Sequence, residues 1–147
     1  MIATIHTVAF AGVEVLPIEV QVAIGGQLPS FTIVGLPDKA VGESRERVRT
    51  ALAAIGLALP PKRITVNLAP ADVQKEGSHF DLPIALGLLV SMGVIGMEDI
   101  ASYCVLGELS LNGSIAAVSG VLPAAIAANA SDRGLICPGA QGGEAAW

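Results

Sequence analysis

An α+β fold, a mixed sheet with helices packed on it in the order β-β-β-α-β-α-β-β-α-β, is what three features of the sequence predict. Residues 2–24 alternate apolar and polar side chains and are rich in β-branched residues, as half-buried strands are. From Pro37 the apolar spacing changes to that of a helix. Asn112-Gly113, set between two strand-like segments, is the strongest short-range hairpin signal in the chain. A run of strands followed by helices alternating with further strands is the pattern of helices laid on a sheet.

Residues 2–10 and 13–24 read as two strands joined at Ala11-Gly12. Pro17 has no N–H to give to a ladder and is expected at an edge or a bulge. Gly25-Gly26-Gln27-Leu28-Pro29 breaks the run, and Phe31 to Val34 forms a third strand, so the first three elements are expected to form a meander. Pro37 to about Ile55 is helical: Val41, Ser44, Val48, Ala51, Leu52 and Ile55 share one face, and Gly56 suits the left-handed residue after a helix. The opposite face carries Glu43, Arg45, Glu46, Arg47 and Arg49, whose arginines fan across an arc as a patch. Pro60-Pro61 is a rigid linker into a strand at Ile64–Leu68. Ala69–Phe80 is a loop between a strand and a helix, where binding groups concentrate. Asp81 reads as the N-cap of an apolar, buried helix over 82–92, with Pro83 tolerated in its first turn. Tyr103–Leu111 reads as one strand, Ser114–Val118 as its return, Val121–Asn129 as a helix and Gly134–Cys137 as the start of another strand. Glu144–Trp147 reads as the opening of a further helix. After about Pro138 the chain, with Gly139, Gly142 and Gly143 and few apolar anchors, is expected to be less well ordered.

At 147 residues the chain is one domain, able to bury about 70% of the surface its unfolded form exposes without disulfides. Cys104 and Cys137 lie in apolar stretches with no C-x-x-C or Cys/His spacing, which reads as buried thiols in a reducing compartment. Mean hydropathy is +0.67, yet the apolar uncharged run from Leu82 to Met97 is sixteen residues against the roughly 20 a membrane span needs. Pro83, Gly87, Gly93 and Gly96 interrupt it. The start MIATIHTVAF has neither a basic region nor a cleavage site. No membrane association and a cytoplasmic location are expected.

Charge is distributed unevenly. Net charge is −5, but seven of the eight Lys and Arg residues (Lys39, Arg45, Arg47, Arg49, Lys62, Arg63 and Lys75) lie between positions 39 and 75, a segment carrying +4 against −9 elsewhere. Such asymmetry marks either a solvated helix face or a surface for DNA or a partner domain. Arg45, Arg47, Arg49, Lys62, Arg63 and Lys75 are the candidate contacts. Phe, Tyr and Trp total five, and only Phe80 is near the basic segment, so a stacking platform for single strands is absent and any DNA contact is expected to be to phosphate. His6 and His79 could join Asp81 or Glu76 at a metal, but no ligand pair has i, i+3 or i, i+4 spacing, and no metal is expected. The phosphate-cradling pattern G-x-x-x-x-G-K-[ST] does not occur, so no nucleotide cofactor is expected in this chain.

The segments PSFTIVGLPDKAVGESRER (29–47), RITVNLAPADVQKEGSHFDLPIAL (63–86) and GELSLNGSIAAVSGVLPAAIAA (107–128) resemble the N-terminal domain of Mg-chelatase-like AAA+ ATPases of the ComM/YifB type. The resemblance implies a ribosomal protein S5 domain 2-like fold, shared with the proteolytic domain of Lon, over residues 1–147 as a single domain truncated before an ATPase motor. That motor would use ATP and Mg. It also implies the family's roles: hexameric assembly, with this chain's own AAA+ domain and other copies as partners, and DNA branch migration in natural transformation. Lon-type domains carry K-[DE]-G-P-S-A-G, with a nucleophilic Ser, and G-G-V-K, with a Lys base. Here these stand as Lys75-Glu76-Gly77-Ser78-His79-Phe80-Asp81 and Ser119-Gly120-Val121-Leu122, so His79 takes the nucleophile's position and Leu122 the base's. Leucine cannot accept the proton that makes a hydroxyl nucleophilic. The expectation is a catalytically silent accessory domain; the alternatives are a Lon-derived serine peptidase or peptide-binding domain, in which Ser78 would act beside His79 and Lys75, and a structural collar for oligomerisation.

Overall fold

The structure, a computed structural model, describes residues 2–146. Strands β1 (Ala3–Ala11) and β2 (Glu14–Gly25) form a long antiparallel hairpin paired from Ala3↔Val22 to Ala11↔Glu14. Alternation is visible in burial: Ile5 faces the core beside Val20. Strand β3 (Ser30–Val34) is followed by helix α1 (Asp38–Ala54) and strand β4 (Arg63–Ala69). The rest of the chain supplies α2 (Asp81–Ser91), β5 (Tyr103–Val105), β6 (Glu108–Leu109), β7 (Ile115–Ala116), α3 (Val121–Ala130), β8 (Gly134–Ile136) and α4 (Gly142–Ala145).

Six strands form one mixed sheet in the order β3-β4-β2-β1-β5-β8, with β6 and β7 as a separate ribbon. The first three strands are therefore not a meander. β4 inserts between β2 and β3, antiparallel to β2 and parallel to β3. A parallel pair cannot be joined by a tight turn, and α1 provides the crossover. β3 is left as an edge strand.

Pro17 pairs with Val8 inside the hairpin, but the last β2–β4 pair is Glu19↔Ala69. On its β4 side Pro17 lies beyond that ladder's end, so an interior strand accommodates a residue that cannot donate there.

The main core lies between the sheet and helices α1 and α2, joining Ile5, Val20, Val22, Val66 and Leu68 to Val48, Leu52, Ile84 and Leu88. A smaller cluster on α3 joins Val8, Cys104 and Leu106 to Val121, Ala124 and Ala128. The α1 boundaries match the sequence reading, with Pro37 before it and Gly56 at φ +86 after it. Ile55, expected on the apolar face, is instead exposed.

The predicted strand 103–111 is two strands. After β5 the Leu106 N–H turns to the Ile136 carbonyl and the Gly107 N–H to the His79 carbonyl, while the Leu82 N–H bonds to the Gly107 carbonyl. These bonds anchor the break to the start of α2. The hairpin at Asn112-Gly113 is present: the Gly113 N–H donates to the Ser110 carbonyl, the Ser110 N–H to the Ser114 carbonyl, and Gly113 takes φ +91. It is thus a three-residue loop with glycine in its left-handed position.

The segment after Pro138 is docked, contrary to the sequence expectation. Gln141 Nε2 donates to the Val118 carbonyl at 2.7 Å and its Oε1 accepts the Val118 N–H at 2.9 Å. Ala145 packs on the α3 cluster. Two side-chain bonds to backbone and one apolar contact supply anchoring that glycine content alone did not reveal. The expected further helix is seen as α4, and Trp147 lies outside the described residues.

Candidate functional site

Asp81 does not cap α2. It is the first residue of that helix, its side chain makes no capping bond, and the carboxylate is 1% exposed. It turns instead to two other elements. Ser44 Oγ of α1 donates to Oδ1 at 2.7 Å; Arg47 donates from Nε to Oδ2 at 2.6 Å and from NH2 to Oδ1 at 3.1 Å; the Leu109 N–H of β6 donates to Oδ2 at 3.1 Å. The forked Arg–carboxylate geometry is the strong, directional form of an ion pair. Asp81 holds the Arg47 pKa above its ordinary value. Ser44, Arg47 and Asp81 thus tie α1, α2 and the β6–β7 ribbon together.

Two residues before Asp81, His79 is 4% exposed, and its Nε2 lies 2.7 Å from the Val8 carbonyl. That contact is a hydrogen bond with Nε2–H as donor. The ring packs on Phe80, centroids 4.1 Å apart, and on Phe10 at 5.3 Å. On its other side Phe10 lies against Gly120, where a β-carbon would overlap the ring. The segments around His79 and Gly120 therefore meet across an aromatic ring. Leu122, two residues beyond Gly120, is half-buried on the first turn of α3. Ser78 is half-buried, and its carbonyl accepts the Asp81 N–H. The imidazole that a Ser78 nucleophile would need is committed to Val8.

Burial pushes the His79 pKa below its ordinary value, outweighing the Val8 bond and Asp81, which raise it. In this linkage the unfolded chain takes up a proton near pH 6.5 while the folded chain stays neutral. The stabilisation is therefore present above the unfolded pKa and is lost as pH falls towards the folded one. Urea unfolding is expected to show stability declining between pH 7 and 5.5, by at most about 1.4 kcal/mol per unit from this group. His79→Gln, which keeps a donor but does not titrate, should flatten that decline. An unchanged slope in the variant would assign it to other groups.

The six cations divide. Arg47 is committed to Asp81. Lys75 is 1% exposed, its ammonium donates to the Pro70 carbonyl, and burial lowers its pKa; it closes the loop before α2. Neither presents a free charge, which corrects their reading as nucleic-acid contacts. The other four gather around β3. Arg45 NH1 donates to the Phe31 carbonyl at 3.1 Å, and Arg49 Cζ stands 5.8 Å from the Phe31 ring centroid. Ser30 pairs with Arg63 and gives its N–H to the Lys62 carbonyl. Phe31, not Phe80, is thus the aromatic neighbour of the basic residues, but it is 6% exposed and offers no stacking face.

Among the described residues no group of three His, Cys, Asp or Glu side chains could hold a metal ion, and no helix is long and apolar enough to cross a membrane. Cys104 and Cys137 are free thiols; burial pushes Cys104 up to about 11 and raises Cys137.

Comparison with known proteins places these observations. Residues 18–141 match the family described as subunit ChlI of Mg-chelatase. The chain is 43% identical over 135 residues to the competence protein ComM of Haemophilus influenzae, covering 92% of this chain and 26% of that protein. It is 42% identical over the same length to the YifB protein of Salmonella typhimurium, covering 27% of it. With Rv2897c of Mycobacterium tuberculosis it shares 40% over 122 residues, or 83% of this chain and 24% of that protein. The chain thus spans about a quarter of the length of these curated relatives. With the match running from β2 to the turn before α4, through α1, the Asp81 lock and the β6–β7 ribbon, the chain belongs to the family of Mg-chelatase subunit ChlI.

Proposed function

We propose that this chain is a non-catalytic accessory domain of a ComM-like AAA+ ATPase, and that its basic edge contacts DNA phosphates. The observation that carries the reading is the division of the cations. Two are used inside the fold, while Arg49, Lys62 and Arg63 are exposed beside Arg45 around one edge strand. Charged side chains at an edge also deter pairing with another sheet, and Arg45 does so directly by occupying the Phe31 carbonyl.

The element order supports assigning the fold to the ribosomal protein S5 domain 2-like, Lon-like group. The packing of Phe10 between His79 and Gly120 supports a lost dyad rather than a working one. Within the whole protein, the ATPase motor, with ATP and Mg, would lie on the chain's own downstream domain. Ring assembly would bring several basic edges to one DNA. The competence name of the Haemophilus relative agrees with a role in transformation.

Binding of the chain to duplex DNA, followed by fluorescence anisotropy across salt concentrations, tests this. Arg49, Lys62 and Arg63 changed together to Glu should shrink the log–log salt slope by about 0.9 for each phosphate that is no longer neutralised. Arg47 is left intact because its removal would test folding instead. An unaltered slope would make the edge a solvated face. In parallel, casein and small esters should be hydrolysed no faster than in buffer, and activity abolished by Ser78→Ala would favour the peptidase.

A further inference from the structure

A pocket of about 490 Å³ opens on the α3 side of the sheet, away from both the Asp81 lock and the basic edge. Its floor is β1 and β2, and its wall is the end of α3 and the turn after it. Val8, Ala127 and Ala128 are among its apolar lining, with Ser131 at the rim. The polar groups that converge there are His6, Glu19 and Arg133. His6 and Glu19 are cross-strand partners and share a face; Arg133 NH2 lies 3.4 Å from His6 Nε2.

Arg133 is the unusual member. Among the described residues its guanidinium has that one long contact and no carboxylate within ion-pair distance, although it is half-buried. A planar fork of donors set in a concave, partly apolar wall matches a carboxylate or a phosphate. Glu19 decides between them. Its carboxylate repels a dianion, while it offers an acceptor to an ammonium group. Beyond the charges, the small side chains of α3 leave room for an apolar body.

We propose that this pocket binds the carboxylate of an apolar amino acid, with Arg133 holding the carboxylate, Glu19 facing the amine, and the α3 wall taking the side chain. The carboxylate can come from a free amino acid or from the end of a peptide; Glu19 favours the free form. This assignment stands apart from the DNA reading, since no residue is shared.

Backbone amide NMR of the whole chain tests it, with L-leucine, N-acetyl-L-leucine, a tripeptide ending in leucine, and inorganic phosphate as probes. Leucine should produce saturable shifts at His6, Cys104, Ser131 and Arg133. Arg133→Gln should weaken its binding at least about tenfold with the remaining spectrum unchanged. Glu19→Gln should weaken leucine while leaving N-acetyl-leucine alone. Tripeptide and N-acetyl-leucine binding as well as leucine would retain the carboxylate site and name a peptide end as its source. The proposal is overturned if no carboxylate probe saturates, if phosphate alone binds, or if Arg133→Gln binds leucine as the parent does.

Discussion

Asp81→Ala is expected to cost about 4 kcal/mol of folding stability. The carboxylate is buried and accepts from Ser44, Arg47 and the Leu109 N–H. Removing one partner of a buried ion pair costs about 3–5 kcal/mol. Here Arg47, whose side chain is 25% exposed, can regain some water, which places its part at the low end. The Ser44 hydroxyl and the Leu109 N–H lose an acceptor as well, at about 1–3 kcal/mol each when left unmade, and these terms overlap because they share one group. For a domain of this size the melting temperature should fall by about 10 °C. Ser44→Ala removes only one donor and should cost about 1 kcal/mol. Chemical denaturation compares the two directly. If Asp81→Ala lay within about 1 kcal/mol of the parent, the carboxylate would not be the joint between α1, α2 and β6.

Gly35→Ala should be nearly as severe, for a reason invisible in side-chain contacts. Gly35 joins β3 to the turn before α1 at φ +107, and a β-carbon there would stand 2.8 Å from the Leu68 carbonyl oxygen and 3.0 Å from Leu68 Cβ. The obstacle is β4 backbone, which cannot swing aside without breaking its pairing with β2. Strained backbone costs about 1–3 kcal/mol and overpacking about the same, so a cost of about 3–4 kcal/mol is expected. Gly42 is the internal control: it lies in α1, has open space around its β-carbon position and takes no positive φ. Gly42→Ala should raise stability by about 0.5–1 kcal/mol. Equal effects at the two positions would show that helix propensity and chain entropy, not the approach to Leu68, govern both.

The Asp81 joint lies two residues from His79, the position that the resemblance to Lon would give to a nucleophile. The segments around His79 and Gly120, far apart in sequence, pack against a common side chain. What lies between them is Phe10, contributed by β1 and unremarkable in the sequence. A buried neutral imidazole bonded to a carbonyl, an aromatic ring and a satisfied carboxylate make a well-packed interior.

The sequence by itself determined the helices, most strands and the hairpin turn, because each is written in local chemistry. Apolar spacing set α1 to within a residue or two, Gly56 ended it, and the alternation of residues 2–24 set the long hairpin to within a residue or so. Tertiary structure alone decided the order of strands, since the insertion of β4 between β2 and β3 depends on pairing between residues tens of positions apart. It also decided the role of each charge. Arg45, Arg47 and Arg49 are alike in sequence, and which one turns inward depends on where Asp81 sits, 34 residues beyond Arg47. Lys75 looked like a loop cation and proved to be an internal clasp on Pro70. A charged side chain becomes structural when a partner is buried within its reach, and that reach is a property of the folded chain.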